Sequence, residues 1–236
     1  MRVLITGAAT DLGQALATGL GQTHQLRLTD RDPVETDCEF VQSELGHDDT
    51  TDALIADIDA IVHQAYAPRS GDGEIDWLDH NSRRIYNLLL AASEAAVERV
   101  VVLSTLDLFT PYDENLTVGE NWKPLPSCAP AVLGAHLAEF TAREFAHSQA
   151  LQVTIARLGH LVRADEVADQ PYDPMWLDER DAARAVDQIL KIGAQRRRSQ
   201  YGVVHIQSDS DRARFSIGPA KDHLEFTPQY NFEANP

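Results

Sequence analysis

A chain of 236 residues, 43% hydrophobic and 24% charged, is long enough to bury one large core and is composed like an ordinary soluble globular protein, which excludes a short peptide module and wholesale disorder. Its formal charge of −17 repels phosphate backbones and anionic lipid, so neither a nucleic acid nor a membrane surface is expected as a partner. The one basic run, Arg196 to Arg198, follows a helical stretch ending near Gly193 and reads as a solvated loop complementing the helix end. Two cysteines, Cys38 and Cys128, are too few for a disulfide framework or a zinc site, and no metal site is expected. With no apolar run of spanning length and no leader before the first strand, cytoplasmic residence is the expectation.

The first fourteen residues, Met1 to Gln14, organise the rest. Val3, Leu4 and Ile5 suit a strand buried on both faces, Gly7 breaks it, and a helix restarts at Asp11 and runs to Leu20. Gly7 supplies a tight turn and Gly13 a close helix-to-strand contact, so the free N–H groups at Ala9, Thr10, Asp11 and Leu12 would face a pyrophosphate. The second half of such a signature is an acid closing the next strand, where it accepts from ribose hydroxyls. Leu26 to Asp30 provides it. Arg31 stands next to that acid, where it could turn toward a 2′-phosphate.

Further along, Glu39 to Gln42 is a short third strand, and an acidic helix over about Asp49 to Ile55 leads to a fourth strand, Ala60 to Ala65. His63 at its end either touches a ligand or is a hydrogen-bonded structural group. Arg69 to Gly73 is a loop, and apolar residues at helical spacing predict one long helix over Ile75 to Ala96. Arg99 to Thr105 is a buried fifth strand ending in two hydroxyls, Ser104 and Thr105, which either orient a ligand or serve as local hydrogen-bond partners. The polar, proline-rich stretch from Leu106 to Ala129 reads as a loop over the site. Pro130 opens a helix to about Ser148. Leu151 to Leu158 is a sixth strand, Glu179 to Ile192 the last major helix, Tyr201 to Ile206 a seventh strand, and Gly218 to Leu224 a short terminal helix. Strands alternating with helices imply an α/β class fold: a Rossmann-type, doubly wound parallel sheet of about seven strands, in a single domain over 1–236 with small cap elements at about 159–180 and 207–236.

The whole chain resembles the extended short-chain dehydrogenase/reductase superfamily, which includes NAD-dependent sugar-nucleotide epimerases and dehydratases. Thr6 to Gly13 looks like its Thr-Gly-x-x-Gly-x-x-Gly loop, Val62 to Ala65 like its fourth-strand motif, and Asn81 falls where its helix asparagine belongs. Ser104-Thr105 matches its serine pair, Trp176 to Asp181 the segment heading its late helix, and Phe215 to Pro228 its C-terminal stretch. The resemblance implies NAD, with NADP the lesser alternative, bound by Gly7, Ala9, Thr10, Asp11, Leu12, Gly13, Asp30, Arg31, His63, Ala65 and His136. It also implies a sugar, sugar-nucleotide or other polyol ligand, and homodimers built from the two long helices.

Two departures matter. Thr10 stands at the middle loop glycine, where its branched side chain impedes close backbone approach unless its hydroxyl donates to the phosphate. The Tyr-x-x-x-Lys motif aligns on Val132 and His136, and valine has no proton to give. Tyr66, Tyr86, Tyr112 and Tyr172 lack a lysine four positions on. Tyr112 is either a surface loop residue or a substitute acid, and His136 could still hydrogen-bond the cofactor ribose. The resulting expectation is an atypical NAD-dependent oxidoreductase or epimerase-like enzyme, using Ser104, Thr105, His136 and Tyr112; the alternative is a catalytically silent NAD-binding sensor or scaffold.

Overall fold

The structure is a computed structural model that describes residues 1–66, 73–148, 150–192 and 200–232. Arg196 to Arg198, Gly193 and most of the 69–73 loop lie outside the described residues. In chain order the elements are β1 (Arg2–Thr6), α1 (Asp11–Leu20), β2 (Gln25–Asp30), β3 (Glu39–Gln42), α2 (Asp49–Ile55), β4 (Ala60–Gln64), α3 (Glu74–Asp79), α4 (Ile85–Glu94), β5 (Arg99–Thr105), α5 (Pro130–His147), β6 (Gln152–Leu158), β7 (His160–Val162), β8 (Trp176–Asp178), α6 (Glu179–Ile192), β9 (Tyr201–Ile206) and α7 (Gly218–Leu224). Seven strands form one sheet in the order β3-β2-β1-β4-β5-β6-β9, each pairing parallel. The order reverses between β1 and β4, so a crevice opens at their carboxyl ends, where such sheets take their ligands.

Alternate residues of each central strand enter different cores, because successive strand side chains point to opposite faces. Val3, Ile5 and Val62 pack with α1, α6 and α7, while Leu4, Ile61 and Val102 pack with α2, α4 and α5. Helix α1 buries Leu12, Leu16 and Leu20 on one stripe, Thr10 caps its first turn, and Asp11 sits at the positive end of its dipole. Gly19 lets α1 approach α6 closely, since a Cβ there would stand 2.8 Å from the Ala183 Cβ.

Three features depart from the pattern of residues. The helix expected over Ile75 to Ala96 is interrupted by a π turn at His80–Arg84, where the Ile85 amide donates back to the His80 carbonyl. Trp176–Asp178, expected to lead straight into a helix, first forms β8, which pairs with β7 as a separate two-stranded sheet. The stretch expected to be a loop from Leu106 opens with a 3₁₀ turn, Leu106–Phe109, and carries its own apolar cluster of Leu106, Leu108, Phe109, Val118, Met175 and Phe215. The C-terminal segment is clipped onto α6 by Asp181, whose buried carboxylate accepts the amides of Gln229 and Tyr230 and pairs with Arg184.

Candidate functional site

At the end of β1 the chain turns through Gly7 at φ 73°, a left-handed conformation open to glycine. A Cβ on Gly13 would lie 2.3 Å from the Gly7 carbonyl oxygen, so strand and helix meet only because that residue has no side chain. Thr10 is engaged inside the loop: its Oγ1 accepts from the Gly13 amide at 2.9 Å and lies 2.8 Å from both the Gly7 carbonyl oxygen and Gln64 Oε1. Gln64 answers from β4, donating its Nε2 to the Thr6 carbonyl at 2.9 Å. Asp30, 4% exposed at the end of β2, accepts the Ala9 amide on Oδ2 and the Asp32 amide on Oδ1.

Two clefts flank this turn. The smaller is lined by Gly7, Asp30, Arg31, Ser43, Glu44 and Leu45 among others. The larger, about 1470 Å³, runs from Ala9, Thr10, Asp11 and Leu12 at the start of α1 to Tyr66, Ser104 and His160 at the strand ends. The open turn, the start of α1 and the acid beside it fit a dinucleotide.

His63 and Ala65 line neither cleft. His63 is fully buried, its Nδ1 lies 2.9 Å from Thr6 Oγ1, and its ring stacks on His80 with centroids 5.1 Å apart. Desolvation, then the neighbouring His80, holds its pKa well below the ordinary value, so it is a neutral support beneath the loop. Ala65 is buried and donates its amide to Leu103.

At the chemical end, Ser104 is 2% exposed and its hydroxyl has no hydrogen-bond partner among the described residues. Thr105 is occupied locally: its Oγ1 accepts the Asp107 amide at 3.0 Å and caps the 3₁₀ turn. On α5, Val132 packs against the apolar cluster around Phe109, and the His136 Nδ1 is buried without a partner among the described residues; neither residue lines the two clefts. Between them Gly134 permits close approach to the π turn, since a Cβ there would come within 2.9 Å of Asn81 Nδ2. Tyr112 donates its hydroxyl to the Lys123 carbonyl at 2.9 Å, sits edge-on to Trp122, and also lies outside both clefts.

The polar groups that do gather at the large cleft escaped the residue pattern. Tyr66 Oη donates to Asp107 Oδ2 at 2.7 Å. His160 Nε2 lies 2.9 Å from Asp107 Oδ1, and its Nδ1 lies 2.8 Å from Asp173 Oδ2. The bond to Asp107, helped by that to Asp173, outweighs partial burial and raises the His160 pKa to about 9, so the ring is an imidazolium at neutral pH. Burial opposes the charge on Asp107, yet the bonds from His160 and Tyr66 prevail and keep its carboxyl below the usual range. Burial and Asp107 push the Tyr66 phenol upward, so it holds its proton.

Residues 3–170 match the model of the NAD dependent epimerase/dehydratase family. The chain belongs to that family. It is 26% identical, over 269 aligned positions covering 99% of this chain and 97% of the relative, to an NAD-dependent glucose-6-phosphate dehydrogenase of Haloferax volcanii. Among solved structures it resembles a variant uronate dehydrogenase from Agrobacterium tumefaciens complexed with NAD, at 23% identity and TM-score 0.83, covering 99% of this chain and 86% of that one. It also resembles a UDP-N-acetylglucosamine 4-epimerase from Bacillus cereus, at 20% identity and TM-score 0.81, covering 98% and 95%. For a family member of this kind the cofactor is NAD, and the turn at Gly7, the close contact at Gly13, the start of α1 and Asp30 have a geometry that fits it. Tyr66, Asp107 and His160 each follow a strand end within two residues, which is the signal that could have found them.

Proposed function

We propose that this protein is an NAD-dependent oxidoreductase or epimerase-like enzyme acting on a hydroxyl of a sugar, sugar nucleotide or similar polyol. The observation that carries this reading is one continuous cleft that joins the loop built for a dinucleotide to ionisable side chains and the free hydroxyl of Ser104. The sugar class is supported by relatives named for glucose 6-phosphate, uronate and UDP-N-acetylglucosamine. When bound, NAD supplies the hydride acceptor. The Ala9 to Leu12 backbone would meet the pyrophosphate, Asp30 and Arg31 would flank the adenosine ribose, and Ser104 would orient the reacting hydroxyl. The test is NAD with glucuronate, galacturonate, glucose 6-phosphate, UDP-glucose and UDP-N-acetylglucosamine, read by NADH absorbance and by chromatography for epimers. Turnover of one of them is expected.

The second reading is a catalytically silent NAD-binding sensor or scaffold, and Val132 at the tyrosine position favours it. Thermal protection by NAD with no product from any of the five compounds selects it over the first.

We further infer a homodimer formed through α4 and α5. Tyr86 is 50% exposed and Phe140 52% exposed, with Leu137 beside them, an apolar surface suited to an isologous helix contact. Sedimentation at micromolar concentration giving only monomer rejects it. Cytoplasmic residence remains our proposal, supported by two free thiols, Cys38 and the exposed Cys128. No helix among the described residues is long and apolar enough to cross a membrane. We read 1–236 as one domain whose stretches 159–180 and 207–236 act as a reduced cap.

A further inference from the structure

We propose that Tyr66, Asp107 and His160 form the proton-handling site of this enzyme, taking the task of the tyrosine and lysine whose places on α5 hold Val132 and His136. This rests on the oxidoreductase reading above. Tyr66 is the catalytic residue, meeting the substrate oxygen, while Asp107 and His160 are positioning residues that act through it.

Three separate strand ends deliver the set. Tyr66 follows β4, Asp107 sits in the 3₁₀ turn after β5, and His160 opens β7 immediately beyond β6. Each is fixed by a backbone contact: the Tyr66 amide donates to Leu103, the Asp107 amide to Thr105 Oγ1, and the His160 amide to Met175. The chain Tyr66–Asp107–His160 is continuous at 2.7 and 2.9 Å. Tyr66 and His160 line the cleft that begins at the glycine loop, and so does Ser104, whose buried hydroxyl has no partner among the described residues. A ligand oxygen entering there is the partner that hydroxyl lacks.

With NAD bound to accept the hydride of the substrate carbon, alcohol oxidation would send the substrate O–H proton to Tyr66 Oη. The phenol proton passes to Asp107 Oδ2; exchange of the carboxyl proton to Oδ1 lets neutral His160 take it on Nε2, which restores the carboxylate. The products are a carbonyl, reduced nicotinamide and an imidazolium that releases its proton to solvent through a half-exposed ring. Carbonyl reduction runs the same path backward, drawing its proton from the imidazolium. The charged groups facing His160 are Asp107 from the 3₁₀ turn and Asp173 from the segment before β8; together they keep the ring protonated to about pH 9. Oxidation therefore rises with pH toward that value, while reduction has its acid loaded at neutral pH.

The experiment has two arms. In the first, the imidazole of His160 is titrated by NMR in the protein without substrate, its signal assigned by its loss in His160→Gln. A midpoint raised above the ordinary histidine value, and lowered in Asp107→Asn, is expected; a midpoint at the ordinary histidine value, or one unmoved by Asp107→Asn, overturns the proposal even if no substrate is known. In the second arm, on whichever of the five compounds is turned over, Tyr66→Phe should lose about 10²- to 10⁴-fold in kcat with KM for NAD and melting temperature unchanged. His160→Gln should abolish the alkaline rise in oxidation. Full kcat in Tyr66→Phe overturns the assignment. If the first arm succeeds and none of the compounds reacts, the substrate class fails and the site stands.

Discussion

The two ends of the crevice hold their polar groups differently. At the cofactor end, Thr10, Gln64, Thr6 and Asp30 are bonded to one another or to the loop backbone, so the cradle is formed before any ligand arrives. At the chemical end, α5 offers a valine and a histidine with a bare buried nitrogen, and the ionisable groups stand on strand-end loops. Dinucleotide binding depends on backbone that must turn at Gly7 and touch at Gly13, which few sequences can reproduce. Proton transfer needs only a titratable group at a strand end, and several loops can supply one.

If α5 has lost its chemical role, it should matter for packing alone. It is anchored by Glu139, whose carboxylate takes both arms of Arg157 on β6 at 2.9 and 2.8 Å, both side chains 5% exposed. Glu139→Ala leaves that guanidinium buried over the Phe109 ring without its counter-charge. A loss of about 3–5 kcal/mol in denaturant unfolding is expected. NAD affinity of the folded fraction should hardly change; a large loss of NAD binding at unchanged stability would erase the distinction between the two ends.

The cofactor end is tested by Asp30→Ala. On the proposed reading the carboxylate would accept from the ribose hydroxyls and repel a 2′-phosphate, so NAD should weaken by about 1.5–3 kcal/mol, the range for hydrogen bonds to a charged group. NADP should weaken less or tighten, because Arg31 stays beside the smaller cleft. Calorimetric titration of both cofactors reads the gap, and wild-type protein binding NADP as tightly as NAD removes the assignment. Gly13→Ala comes next: its Cβ meets backbone, which cannot swing aside, at a cost of about 1–3 kcal/mol in stability together with loss of the thermal shift given by NAD.

Legibility in the sequence followed the same division. Helix α1, Asp30 at the end of β2, and α6 follow from local signals: a glycine break, a capping threonine, an apolar stripe, acids in a first turn. The π turn at His80–Arg84 leaves no mark in the sequence because apolar periodicity runs through it; it lies where Asn81 passes close to Gly134 on α5. Strands of three residues, β7 and β8, are too short to carry an alternation. The Tyr66, Asp107, His160 and Asp173 set joins residues 13 to 53 positions apart along its bonds, so no short spacing shows it, and Tyr66 has no lysine four residues on. His63 and Thr105 stand at strand ends as their sequence positions imply, but side-chain direction puts one beneath the loop and makes the other the cap of a turn.

The smallest effect bears on the chemical end and needs no ligand. His160 binds its proton more tightly in the folded protein, with a pKa raised from 6.5 to about 9 by Asp107 and then Asp173. A raised folded-state pKa contributes stability that is fully present below pH 6.5 and is lost as pH climbs through 9, because the unfolded chain releases that proton first. The ring is 41% exposed, so solvent screening limits the contribution to at most about 1 kcal/mol. Asp107, whose carboxyl is held low, titrates in acid, and Tyr66, pushed upward, titrates in strong base, so neither enters the window from 6.5 to 9. Urea unfolding at half-unit steps across that window should show a gentle decline in wild type and a flatter profile in His160→Gln. An equal slope in both proteins means that His160 does not hold its proton between the two carboxylates, and the chemical end would then have no more order than α5 gives it.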